Sequence, residues 1–116
     1  MEISVQELDG NIARIVLDGR LDLAGAAAID LSFSTISGSR RALIVDMSRV
    51  SFIASMGMRT LVSGAKAVRG NGGKMVLLSP VALVERALKT ASIDTLIPIF
   101  HDLAEAKAAV ALDAAR

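Results

Sequence analysis

The segment from Ala42 to Met58 constrains the fold of this chain more than any other. Four apolar residues, Ala42 to Val45, lead directly into Asp46, and eight residues later Ala54-Ser55-Met56-Gly57 stands where a helical pattern begins. An unbroken apolar run of this length is typical of a strand buried on both faces of a parallel sheet. We therefore expect a strand that ends near Asp46 and a loop that carries Ser55 to the N-terminus of a helix.

Strand and helix patterns alternate along the rest of the chain, which predicts βαβ crossovers and a largely parallel sheet. The fold class is therefore α/β: one domain over residues 1–116, with a mixed sheet of about four or five strands, an N-terminal hairpin and about four helices. The Ala-rich C-terminal residues are expected to fray. The predicted core comprises Ile15, Leu17, Ile29, Phe33, Leu43, Val45, Leu61, Val62, Ala65, Val76 and Leu77.

Turn and capping residues set the expected boundaries of these elements. Asp9-Gly10 predicts a tight hairpin turn, and the second strand is expected to end at Asp18-Gly19. The other boundary signals are Asp22 as an N-cap, Gly38 as a helix stop, a further stop at residues 70–73, Ser79-Pro80 as N-cap and first residue of the third helix, a short edge strand over Thr95 to Phe100, and Asp102 as the cap of the last helix.

Composition excludes several classes of function. The chain has no Cys and one His, so zinc-finger spacing, thiol nucleophiles and most metal chemistry are absent, and we expect no metal, no cofactor and no catalysis. A net charge of +1, with three Phe and neither Trp nor Tyr, argues against nucleic acid as a partner. The N-terminus does not have the pattern of a signal peptide, and no apolar run approaches the ~18 residues that insertion into a membrane needs. We expect a cytoplasmic protein.

Ser55 has two readings that the residues alone leave open. Serine is a favoured N-cap, so its hydroxyl would satisfy a free amide of the helix. The same amides, with the positive end of the helix dipole, would stabilise a phosphate attached there. Asp22 and Asp46 have the same two readings, as a cap or loop acceptor and as part of a phosphate or partner site. Met58 is expected to point into the core, and Met56 outward as an adaptable apolar contact.

Taken together, these residues resemble the STAS domain of bacterial anti-sigma factor antagonists. The resemblance covers almost the whole chain and rests on Gly19-Arg20-Leu21-Asp22, on the segment from Val45 to Ile53, and on Ala54-Ser55-Met56-Gly57-Met58, where the family usually has Asp-Ser-Ser/Ala-Gly-Leu. Asp22, Asp46, Ser55 and Gly57 carry it jointly.

The resemblance implies a regulatory switch. In the family, a partner kinase that is also an anti-sigma factor, with a histidine-kinase-like ATPase fold, phosphorylates the serine matching Ser55. The phosphorylated form releases its partner, and a phosphatase reverses the modification. Asp22, Asp46, Ala54, Met56, Gly57 and Met58 would then surround the phosphate or contact the partner.

Two residues depart from the family pattern. Ala54 replaces the acid that precedes the serine, and Met56 replaces its small follower. Loss of the carboxylate removes a like charge beside a phosphoserine and favours phosphorylation. A kinase that needs that carboxylate would instead no longer accept Ser55.

Two other functions remain open on the sequence. One is a STAS subunit of a membrane lipid-transport ABC complex, which docks on an ATPase without phosphorylation. The other is a nucleotide-binding regulatory domain that uses a pocket near Asp22 and Ser55.

Overall fold

The computed structural model describes residues 1–111, which form a five-stranded sheet with helices on both faces. The strands lie in the sheet in chain order: β1 (Glu2–Leu8), β2 (Ile12–Leu21), β3 (Ala42–Ile53), β4 (Lys74–Leu78) and β5 (Ile99–Phe100). β1 is antiparallel to β2, and every later pair is parallel. The predicted α/β class, mixed sheet and N-terminal hairpin are confirmed. The expected fraying of residues 112–116 lies outside the described residues.

The four helices divide unequally between the two faces of the sheet. α1 (Leu23–Ser39), α2 (Ser55–Gly70) and α3 (Ala82–Thr90) pack on one face, and α4 (Leu103–Val110) packs on the other. Successive residues of a strand point to opposite faces, so Leu43 and Val45 are buried under the first three helices and Ile44 under α4. The strand is therefore apolar throughout this stretch because both of its faces are covered.

The predicted core matches the observed one closely. Val62 is half-buried against the core. The other predicted core residues are buried: Ile15, Leu17, Ile29, Phe33, Leu43, Val45, Leu61, Ala65, Val76 and Leu77. Phe33 packs directly over Gly64, where an added Cβ would lie 2.3 Å from its ring. α1 and α2 therefore pack side by side.

The prediction that β3 ends near Asp46 is wrong. β3 continues to Ile53, and its second half pairs with β2 alone. Two register shifts accompany this extension, each placing one extra residue in β3 opposite β2. These bulges break the alternation of buried and exposed residues, so the polar stretch after Asp46 imitates a loop in the sequence.

Other boundaries differ in smaller ways. β2 runs through Gly19 to Leu21, and the hairpin turn is a three-residue 3-10 turn, Asp9–Asn11, with Gly10 and Asn11 at positive φ. α1 passes through Gly38 and ends at Ser39. Ser79 and Pro80 do not begin α3, because Val81 is the N-cap of that helix. Thr95 does not belong to the edge strand, because it lies in a 3-10 turn before the two-residue β5.

Candidate functional site

The N-termini of α1 and α2 lie next to each other at one end of the sheet. Leu21 and Ile53 are paired at the ends of the parallel strands β2 and β3, and each strand then leads into its helix after one residue. The Ala54 amide donates to the Leu21 carbonyl at 3.0 Å, which joins the two strand-to-helix connections. The parallel register therefore brings Asp22 and Ser55, far apart in sequence, to one end of the molecule.

Gly57 allows this close approach. A Cβ at this position would lie 2.5 Å from the Leu21 carbonyl oxygen and 2.6 Å from Leu21 Cγ. Any side chain would push the first turn of α2 away from the end of β2. Gly57 is buried, so its place in the motif has a packing reason independent of any partner.

Asp22 is the N-cap of α1, as predicted. Its Oδ1 accepts a hydrogen bond from the Gly25 amide at 2.8 Å, and its Oδ2 lies 3.4 Å from Arg20 Nε. The Gly25 amide, followed by Arg20, lowers the pKa of the Asp22 carboxyl below its usual range, so the carboxylate is charged at neutral pH. The Arg20 guanidinium also stacks over the Phe52 ring, 4.4 Å from its centroid.

Ser55 is exposed, and of its two possible roles the structure excludes that of N-cap. The N-cap of α2 is Ala54, which has no side-chain acceptor, and Ser55 is the first helical residue. The first amides of α2 are thus left without a side-chain acceptor at the N-cap position. Ser55 therefore presents a hydroxyl beside the positive end of the α2 dipole.

Exposed apolar and basic side chains stand on the first turns of α1 and α2. Leu23 is 66% exposed at the start of α1 and Met56 is 38% exposed at the start of α2. Met58 is half-buried against the core, so it points inward as predicted. Arg59 is exposed one turn beyond Ser55, and its Nη1 lies 3.9 Å from Met56 Sδ. We call Leu23, Ser55 and Met56 the switch surface.

Asp46 lies elsewhere, on the sheet face opposite α1 and α2. It sits seven residues before the end of β3, which at ~3.3 Å per residue corresponds to about 20 Å of strand. The structure therefore does not bring Asp46 together with Ser55. Asp46 is instead surrounded by polar residues of the first strands, among them Ser4 and Arg14.

Four hydrogen bonds hold the buried Asp46 carboxylate, which is 4% exposed. Its Oδ2 accepts from Arg14 Nε at 3.2 Å and Nη2 at 2.5 Å, and its Oδ1 accepts from Ser48 N at 2.9 Å and Oγ at 2.7 Å. Burial would raise the pKa of Asp46, but the bonds from Arg14 and Ser48 outweigh it and the pKa is lowered. This network ties β2 to the first bulge of β3.

The described residues contain neither a candidate metal site nor a candidate membrane span. No group of three His, Cys, Asp or Glu side chains within residues 1–111 is arranged to hold a metal ion. Across the same residues, no helix combines the length and apolar character needed to cross a membrane.

Sequence reasoning missed the contribution of Arg20 and Arg59 to this end of the molecule. Arg20 stands inside the quoted Gly-Arg-Leu-Asp segment, and Arg59 follows Ser55 by four residues. Helical spacing alone predicts that residues four apart lie on the same face, so Arg59 was detectable. Arg20 was not, since its stacking on Phe52 depends on the register between β2 and β3.

Fold and site together define a small α/β domain with an exposed serine at the start of its second helix. The sequence model of the STAS domain family matches residues 2–106, so the chain belongs to the STAS domain family.

Named relatives agree with this assignment. The chain is 26% identical over 106 residues to the anti-sigma-F factor antagonist RsfB of Mycobacterium tuberculosis, covering 90% of this chain and 86% of that one. A solved anti-sigma factor antagonist from Mycobacterium paratuberculosis superposes with a TM-score of 0.84 at 23% identity, covering 94% of this chain and 92% of that one. Phosphorylated SpoIIAA of Bacillus superposes with a TM-score of 0.69 at 17% identity, covering 93% of this chain and 99% of that one. These structural matches establish the fold.

Proposed function

We propose that this chain is a cytoplasmic anti-sigma factor antagonist switched by phosphorylation of Ser55. In this proposal it binds an anti-sigma factor with a histidine-kinase-like ATPase fold, and that kinase modifies Ser55 to end the binding. A phosphatase restores the binding form. The chain itself has no catalytic activity and serves as substrate and switch.

The observation that carries the proposal is the position of Ser55. Its side chain is exposed on the first residue of α2, next in sequence to the exposed Met56, and the exposed Leu23 begins α1 at the same end of the sheet. A protein partner can cover such a surface, and a kinase can reach the hydroxyl without unfolding the domain. The relative named as an anti-sigma-F factor antagonist supports the partner class, and the phosphorylated form of SpoIIAA supports the type of modification.

The energetics favour a switch that acts at the surface. A phosphoserine adds about −1.5 to −2 charge units, and the α2 dipole would stabilise that charge by ~0.3 to 1 kcal/mol. Ala54 contributes no carboxylate that would repel it, and Arg59 is one helical turn away. The fold should therefore tolerate phosphorylation, whereas a partner that covers the switch surface would have to desolvate the phosphate.

The experiment identifies the partner and the modified residue in succession. The tagged chain and its Ser55→Glu variant are used to capture proteins from native cells, and an ATPase of the histidine-kinase type should be recovered with the wild type and much less with the variant. Ser32→Glu is the matched control, since Ser32 is also exposed but lies in the middle of α1, away from both helix N-termini.

The purified kinase is then incubated with ATP and the chain, and intact mass is measured. We expect one phosphate on the wild type and none on Ser55→Ala, with the wild type and Ser55→Ala binding the kinase equally well before ATP is added. Phosphate on another residue, or equal affinity of wild type, Ser55→Ala and Ser55→Glu, would overturn the proposal.

A second candidate function is that of a STAS subunit in a membrane lipid-transport complex. Ala54 favours this function, because a chain that is never phosphorylated needs no acidic residue before its serine. Capture of a transporter ATPase, equally by the wild type and Ser55→Glu, would establish that reading. Recovery of bound nucleotide without a protein partner would instead point to a nucleotide-binding regulatory domain.

A further inference from the structure

Met56 is chemically the most accessible methionine of the chain. All five methionines fall within the described residues 1–111. Met47 and Met75 are buried at 0% and 3% exposure, and Met1 and Met58 are half-buried against the core, whereas Met56 is 38% exposed. Oxidation of a thioether follows its exposure, because the oxidant must reach the sulfur.

The surroundings of Met56 suit the oxidised side chain as well as the reduced one. Arg59 Nη1 lies 3.9 Å from Met56 Sδ, within reach of a weak hydrogen bond to sulfur. A thioether sulfur has two lone pairs, so one remains free to react. A sulfoxide oxygen is a much stronger acceptor, and the guanidinium one turn away is positioned to donate to it.

We propose that Met56 is a reversible oxidation site in the switch surface, and that its conversion to methionine sulfoxide weakens partner binding. The effect on partner binding, which is the regulatory half of the proposal, rests on the function proposed above. The oxidant is a hydroperoxide: a sulfur lone pair attacks the terminal oxygen, the O–O bond breaks, and the proton on the transferred oxygen passes to the departing oxygen. With hydrogen peroxide the products are the sulfoxide and one water. Sulfur is oxidised by two electrons, and methionine sulfoxide reductases reverse the step.

The effect on binding follows from the change in polarity. Reduced Met56 is a flexible apolar side chain next to Ser55, suited to an adaptable protein contact. The sulfoxide is polar, and covering it with an apolar partner surface leaves its oxygen poorly solvated. We expect oxidation to weaken binding by about tenfold or more, while the fold is retained because Met56 contributes little to the core.

The first test needs only the chain itself. The purified protein is treated with graded hydrogen peroxide, digested, and mapped by mass spectrometry. We expect Met56 to be oxidised at lower peroxide than the other four methionines. Met56→Leu should resist oxidation under the same conditions, and Met58→Leu, the matched control two residues away, should be oxidised like the wild type. Oxidation of Met1 or Met58 ahead of Met56 would overturn the assignment of the site.

The second test uses the kinase recovered in the capture experiment. Binding is titrated with reduced protein, peroxide-treated protein, and peroxide-treated protein restored by a mixture of the two methionine sulfoxide reductases. We expect loss of affinity and recovery for the wild type, and no change for Met56→Leu. Equal affinity of reduced and oxidised wild type would overturn the regulatory half.

The two proposals fail in distinguishable ways. If no kinase of this type is recovered, the proposed function and the regulatory half are removed together. The peptide map still decides whether Met56 is the oxidation site.

Discussion

Replacing Gly57 by alanine should destabilise the protein, although alanine is the better helix former. The added Cβ would lie 2.5 Å from the Leu21 carbonyl oxygen, which is backbone and is held by the Ala54 amide at 3.0 Å. Overpacking of this kind costs ~1 to 3 kcal/mol, and removing a helical glycine returns ~1 kcal/mol at most. We expect a net loss of up to about 2 kcal/mol in the free energy of unfolding.

Gly38 supplies the matched control, because a Cβ there meets nothing within 4 Å. Gly38→Ala should therefore stabilise the protein by ~0.4 to 1 kcal/mol. Urea unfolding of both variants, followed by circular dichroism, measures the two changes against the wild type. If Gly57→Ala gained stability as Gly38→Ala does, the close approach of α2 to the end of β2 would be refuted.

Three further predictions concern stability. Because the pKa of Asp46 is lowered in the folded state, its ion pair with Arg14 contributes stability above pH ~4 that is lost as the pH falls through the folded pKa. Asp46→Asn should lower the free energy of unfolding by about 3 kcal/mol at pH 7 and make its decrease at acidic pH less steep. The same dependence of stability on acidic pH in the variant and the wild type would contradict this prediction. Ser55→Ala should alter the free energy of unfolding by less than ~0.5 kcal/mol, whereas Ala54→Asp should increase it by ~0.5 to 2 kcal/mol by capping α2. Thermal melts measure both changes; a large loss in Ser55→Ala with no gain in Ala54→Asp would show that Ser55 is the cap. Leu61→Ala should cost ~2 to 5 kcal/mol in denaturant unfolding, since Leu61 is fully buried; a loss below 1 kcal/mol would mean that this site collapses without a cavity.

Local signals in the sequence were sufficient for much of the fold. The apolar run of β3 identified a strand covered on both faces, and Asp22 identified the start of α1 through a bond to an amide three residues on. The turn after α2 was equally clear, as Gly72 takes a positive φ there. These features succeed because each is decided by residues within one or two turns of each other.

The sequence failed wherever a distant segment decided the outcome. β3 extends past Asp46 because β2 offers a pairing partner as far as Leu21, and the bulges that accompany the extension erase the alternation a strand would show. The family resemblance groups Asp46 with Ser55, and Asp46 stands only eight positions before Ala54 in the sequence. An extended strand turns that short interval into a long distance.

The sequence by itself therefore determined the α/β class, the identity of the exposed serine and the residues that form the core. Tertiary structure decided which residues surround Ser55. Leu23 begins α1 at the same end of the sheet because the parallel strands β2 and β3 end side by side, whereas the Asp46 side chain points to the opposite sheet face. The periodicity of the sequence indicates which side of its own strand or helix a residue lies on. Strand register, which depends on packing across the whole sheet, decides which residues of different elements lie side by side.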